Sequence, residues 1–80
     1  MYVVDFDPPA EKQRDALPTE ALAALMELRA VLEMTPWSGT PPSNNPAGNM
    51  LTMPFGDFGL VTYFVMEERR LVYIVRITWV

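Results

Sequence analysis

The last third of the chain leaves the fewest choices. Two apolar runs rich in β-branched and aromatic residues, Leu60–Met66 and Leu71–Trp79, flank the charged tetrad Glu67-Glu68-Arg69-Arg70. Long strand-forming runs joined by a short polar connection predict a β-hairpin. Such a hairpin has to bury one face, so the upstream residues are read as the layer that covers it.

The whole chain is 80 residues, near the lower limit at which one core carries a fold without staples. Half of it is apolar, and 11% is aromatic, which is enough for a core. It has no Cys and no His, which removes disulfides, zinc sites of the Cys/His type, a Ser-His-Asp triad, a Cys nucleophile and an imidazole base. No cofactor is implied. The formal net charge of −4 argues against strong nonspecific binding to nucleic acid, which draws on Lys and Arg neutralising phosphates. No apolar run approaches the ~18 residues of a membrane span or carries signal-peptide flanks. A cytoplasmic protein with no membrane partner is the expectation, and the lack of Cys fits it.

Taken in order, Tyr2–Phe6 predicts a first strand, with Tyr2, Val4 and Phe6 on one face. Asp7-Pro8-Pro9 stops it and offers Asp7 as the N-cap of a short charged helix over Ala10–Ala16. Leu17-Pro18-Thr19 interrupts, with Pro18 suited to the first turn of a second helix over Thr19–Met34. In that helix Ala21, Leu25, Leu28 and Leu32 form one apolar stripe, read as core packing. Thr35–Asn49 is a long Pro- and Gly-rich loop, read as a connector in which Trp37 packs back on the domain. Met50–Pro54 predicts a short strand, and Phe55-Gly-Asp-Phe-Gly59 supplies turn chemistry. Asp57-Phe58-Gly59 spells the kinase magnesium tripeptide, but the chain is far too short for that fold and lacks its other motifs.

The expected architecture is therefore a single two-layer α+β domain over residues 1–80: strand, two helices, three strands, an antiparallel sheet with the helices on one face. Strict alternation assigns the hairpin's faces. Val61, Tyr63, Val65, Tyr73, Val75 and Ile77 fall on the helix-covered side; Leu60, Thr62, Phe64, Met66, Val72, Ile74, Arg76 and Thr78 fall on the open side, with all the polar residues of the two runs except the two phenols. A single bulge would exchange these faces. The open side is apolar enough to mark an interaction surface, a homodimer or a bound partner chain. Leu60, Thr62, Phe64 and Ile74 are its candidate binding residues.

The order of elements, the Pro after the first strand, the Leu-Pro-Thr-Glu-Ala helix start, Thr-Pro-Trp at the helix exit and Gly-Asp-Phe-Gly-Leu-Val-Thr-Tyr before the hairpin resemble the RelE/ParE toxin superfamily across essentially the whole chain. The resemblance implies the toxin half of a type II toxin–antitoxin module, silenced by a cognate antitoxin that wraps it. RelE-like members cut mRNA in the ribosomal A site without metal, and ParE-like members act on DNA gyrase. By the same resemblance, Asn49–Met53 stands where nuclease members carry lysines or a glutamate. Leu60 stands at an arginine position three residues before Tyr63. Arg76, Ile77, Thr78 and Trp79 align with an Arg-Tyr-His-Tyr-like string, so Arg76 is retained and Thr78 replaces the histidine.

Metal-free RNA cleavage needs a base for the 2′-hydroxyl, a cation for the charged phosphorane and an acid for the leaving oxygen. Arg76 is the candidate cation, Trp79 a candidate base-stacking platform and Thr78 the third residue of the candidate catalytic set. Asp57, Glu67 and Glu68 are the carboxylates at hand, although Glu67–Arg70 reads first as a solvated charge cluster and Arg76 first as an ion-pairing surface residue. The alternatives to a ribosome-dependent mRNA interferase are a catalytically silent or gyrase-directed toxin-like binding module, and a small dimeric interaction domain.

Overall fold

A computed structural model describes residues 1–42 and 48–80. Its elements run β1 (Val3–Phe6), α1 (Pro8–Asp15), α2 (Thr19–Met34), a 3-10 turn (Pro36–Ser38), β2 (Met50–Phe55), β3 (Gly59–Met66), a second 3-10 turn (Glu67–Arg69) and β4 (Leu71–Trp79). The order is the expected one. The part of the expected connector at 43–47 lies outside the described residues.

The four strands form one sheet in the order β1-β4-β3-β2. β2, β3 and β4 are antiparallel neighbours, but β1 returns to pair with β4 in parallel, so the sheet is mixed. That pairing is possible because α1, α2 and two strands separate β1 from β4, giving the length a parallel return needs. The β2 edge is blunted, and so is β4 where it outruns β1. On β2, Thr52 exchanges two backbone hydrogen bonds of 2.8 Å with Thr40, and Pro54 has no N–H to offer. Beyond the end of β1, the Ile77 N–H of β4 donates to Gln13 Oε1 of α1 at 2.7 Å.

The local expectations for the helices hold with small shifts. α2 spans the predicted residues, and Ala21, Leu25, Leu28 and Leu32 are its buried ones. Pro18 sits at its N-cap, one position before the first turn. α1 starts two residues early, at Pro8, with Asp7 at the N-cap position but making no side-chain cap. Pro9 occupies a position whose N–H a cap would ordinarily accept, which leaves the Asp7 carboxylate for another donor.

The core lies between α2 and the sheet, and Val4, Leu51, Phe55, Val61, Tyr63, Val65, Val72, Ile74 and Ile77 supply its sheet side. Here strict alternation fails. β3 and β4 lose register between Thr62 and Tyr63, which oppose Arg76 and Ile74, so Val75 is an extra residue on β4. This bulge reverses the facing of everything N-terminal to it on β4. Val72 and Ile74, expected on the open side, are fully buried, and Tyr73 and Val75, expected in the core, are half-buried outside it. Ile74 is therefore a core residue and not a binding one.

Two close approaches fix the rim of the core. A Cβ on Gly39 would lie 2.2 Å from the Tyr63 hydroxyl, and one on Gly59 would lie 2.4 Å from the Phe55 ring. Gly39 thus lets Tyr63 Oη reach Pro36 O, to which it donates at 2.7 Å. Burial of that phenol pushes its pKa up to about 12.

Candidate functional site

The face of the sheet opposite α2 carries the candidate site. Cross-strand register sets Leu60 against Thr78, Thr62 against Arg76, Phe64 against Tyr73 and Met66 against Leu71. On one flank β2 adds Met50, Thr52 and Pro54; on the other β1 adds Val3 and Asp5. Leu60, Arg76 and Thr78 are exposed; Thr62 and Phe64 are half-buried among their neighbours. Five of the seven residues singled out from the sequence thus share one surface: Leu60, Thr62, Phe64, Arg76 and Thr78. Ile74 has gone into the core.

Trp79 is separated from them. The pleat turns it to the side that carries Ile77, where its ring packs 5.6 Å from Phe55 and edge-on to Phe58 at 6.1 Å. There it lines a groove of about 310 Å³ with Glu20, Gly56, Asp57 and Phe58. Trp79 and Arg76 do not share a face, and the carboxylates that line the groove with Trp79 are Glu20 and Asp57.

Among the described residues, Arg76 is the only Lys or Arg in a strand. It makes none of the ion pairs among the described residues. Its guanidinium is thus an uncommitted cation over a surface of threonine hydroxyls and apolar side chains. That is suited to holding a phosphate or carboxylate brought by a ligand.

The bulge adds a group that sequence alternation hides. Tyr73 emerges on the open face between Phe64 and Asp5, and its hydroxyl donates to Asp7 Oδ1. That hydrogen bond, then desolvation and the nearby Asp7, Asp5 and Glu11 charges, raise the phenol's pKa above its ordinary value of 10.0. A neutral phenol hydrogen-bonded to a carboxylate thus belongs to the same strand as Arg76. No sequence cue marks this pair, because nothing in the run Leu71–Trp79 announces an extra residue.

Glu67 to Arg70 are all exposed, as a solvated charge cluster would be, but Glu67 also has fixed partners. Its Oε1 accepts from Tyr2 Oη at 2.6 Å and from Trp37 Nε1 at 2.7 Å, and Arg70 Nε lies 3.5 Å from Oε2. The Arg70 guanidinium also sits 5.4 Å from the Tyr2 ring centroid. The Tyr2 bond first, and the Trp37 bond second, hold the Glu67 carboxyl below its ordinary value of 4.5. Trp37 is tied to the hairpin turn by this bond, while the residue stays 47% exposed rather than packed down. Glu67 is thereby committed to tying the chain start, the exit of α2 and the β3–β4 turn together, and is withdrawn from acid–base work. Glu68 and Arg69 are exposed.

Among the described residues no three His, Cys, Asp or Glu side chains cluster as a metal site. No described helix is long and apolar enough to cross a membrane. No family model and no curated protein sequence matches the chain. Solved structures do match. Over 100% of this chain and 98% of that one, the E. coli RelBE toxin–antitoxin complex superposes with a TM-score of 0.85 at 16% identity. The fold is that of the RelE toxins. The RelBE2 toxin–antitoxin complex of Mycobacterium tuberculosis gives 0.84 at 22% identity, over 99% of this chain and 91% of that one. The archaeal RelE–RelB complex of Pyrococcus horikoshii gives 0.73 at 17%, over 98% and 93%. Within this RelE fold, Leu60, Arg76 and Thr78, the β3 and β4 positions to which the resemblance assigns chemistry, share the open face; Trp79 does not.

Proposed function

We propose that this chain is the toxin component of a type II toxin–antitoxin module, held silent by a cognate antitoxin, and that its open sheet face is the surface that meets the target. The observation that carries this reading is the RelE fold over the full chain, at a TM-score of 0.85 to a toxin solved with its antitoxin. The target is the translating ribosome with its mRNA, and the chemistry is metal-free cleavage of the message. Arg76 holds the scissile phosphate, and Thr62 and Thr78 add hydroxyl contacts beside it. Trp79, on the other face, contributes packing rather than stacking.

One observation favours a second reading. The chain is acidic, with a net charge of −4, and the strands among its described residues carry one cation. Phosphate-rich targets are poorly served by such a surface. On that reading the same face binds a protein target, gyrase included, without cutting RNA.

Translation in a purified cell-free system, followed by primer extension on the message, separates the two. New 5′ ends at codon positions, absent with Arg76→Ala, support cleavage. An intact message with unimpaired translation at excess protein removes the ribonuclease reading, and a gyrase supercoiling assay then tests the second.

A further inference from the structure

Beside its core stripe α2 carries a second one. Glu20, Ala24, Glu27 and Val31 each precede a member of the core stripe by one residue, so they share a line along the helix. That line borders two grooves against the end of β2. The groove of about 310 Å³ at Trp79 holds Glu20 and Asp57, and one of about 330 Å³ holds Glu27, Val31 and Met53. Gly56 lines both. A Cβ there would lie 3.2 Å from Trp79 Cζ3 and 3.4 Å from Ala24 Cβ, so the bare backbone at this point joins the two grooves into one trough.

We infer that this trough receives a basic, arginine-bearing segment of a partner protein. Phe58 is 62% exposed and stands edge-on to the half-buried Trp79 at 82°, so the two rings make an aromatic corner. Glu20 and Asp57 border that corner and Glu27 lies further along, all three exposed. None of these carboxylates enters an ion pair among the described residues, and no Lys or Arg lines either groove. The trough is thus aromatic and apolar within and anionic at its rim. A neutral apolar segment would cover the rings but leave the carboxylates unmatched, and an acidic one would be repelled. A second copy of the same trough would set carboxylate against carboxylate. A guanidinium meets both demands, because it stacks on an aromatic face and donates paired hydrogen bonds to a carboxylate. Glu20 and Glu27 are two helical turns apart, about 10 Å along the axis, so two basic side chains at that separation engage both. This docking does not depend on the toxin reading, since the trough lies on the α2 side of the sheet and not on its open face.

The probe is the acetylated, amidated peptide Ala-Leu-Arg-Ala-Leu-Arg-Leu, whose arginines stand about 10 Å apart when the chain is extended. It is titrated into the nitrogen-labelled full chain and followed by amide and indole NMR shifts. The control peptide carries citrulline for each arginine, which keeps the shape and removes the charge. The Trp79 indole and the Gly56, Asp57 and Phe58 amides should shift together and saturate, while the Trp37 indole stays in place. The citrulline peptide should bind about tenfold more weakly or worse, and Glu20→Gln with Asp57→Asn should weaken the arginine peptide by a similar factor. Phe58→Ala should also weaken it. Glu11→Gln with Glu68→Gln removes the same charge elsewhere on the surface and should change binding by no more than about twofold, as expected for screened, distant charges. No saturable shift at the trough overturns the proposal, as does equal binding of the citrulline peptide or an equal loss in the Glu11 and Glu68 variant. So do shifts of the same residues when the chain is concentrated without peptide, which would make a second copy the occupant.

Discussion

The two faces of the sheet are made from the same residue types and answer to different rules. On the covered face every position is decided by its neighbours: Tyr63 is fully buried, its hydroxyl satisfied by Pro36 O and its flank left clear by Gly39. On the open face apolar side chains are just as large, yet Leu60 and Arg76 stand exposed with no enforced partner. A bulge of one residue, Val75, decides which half of β4 belongs to which. Packing on one side leaves the other free to vary, and that is where a binding surface can change without loss of the fold.

The most severe way to break this comparison is to put a charge at Ile74. Alternation places Ile74 outside and the bulged register places it in the core, so Ile74→Asp should cost on the order of 4 kcal/mol or more, or prevent folding. A folded Ile74→Asp with an unchanged urea midpoint would show that β4 is not bulged there. Next in size, Leu25→Ala should lose about 2–5 kcal/mol in urea unfolding, because Leu25 is fully enclosed between α2 and the sheet.

Tyr63→Phe should lose about 1–2 kcal/mol, the cost of leaving Pro36 O without its donor in a buried site. Its pH behaviour has a definite sign. The folded phenol ionises near 12 and an unfolded one near 10.0, so its contribution is complete below pH 10 and is lost as pH rises toward 12. Thermal melts of the native chain should fall across that window more steeply than those of Tyr63→Phe.

A smaller effect is expected at Glu67, whose folded carboxyl titrates below its ordinary value of 4.5. Its contribution is present above that value and lost as pH falls through the lowered one. Glu67→Gln should keep an acceptor for Tyr2 and Trp37 while flattening the acid limb of the stability profile. An unchanged acid limb would mean that the tie between Tyr2, Trp37 and the hairpin turn does not exist in solution.

How much of this was legible in the sequence depends on period. The stripe Ala21, Leu25, Leu28, Leu32 and the two long strand runs have only one reading each, and the element order, the extent of α2 and the extent of β4 follow from them. Face assignment on β4 does not, because alternation carries no mark where a residue is added. That single residue moved Ile74 out of the candidate site and brought Tyr73, with Asp7, into it. The Glu67 interactions were hidden for another reason: Tyr2, Trp37 and Glu67 are far apart in sequence, and only the closed sheet brings them together. Arg76 and Thr78 stayed where alternation put them, since they lie C-terminal to the bulge and in register with β3.

On the proposed function, one face of the sheet holds the fold while the other meets the target. This division is tested most directly by measuring the thermal midpoint and the translation inhibition of Arg76→Ala in the same preparation as the native chain. The prediction is an unfolding free energy unchanged within about 0.5 kcal/mol, as for an exposed residue with no ion pair, together with loss of inhibition. Full inhibition by a stable Arg76→Ala would contradict it and move the working surface away from the open face.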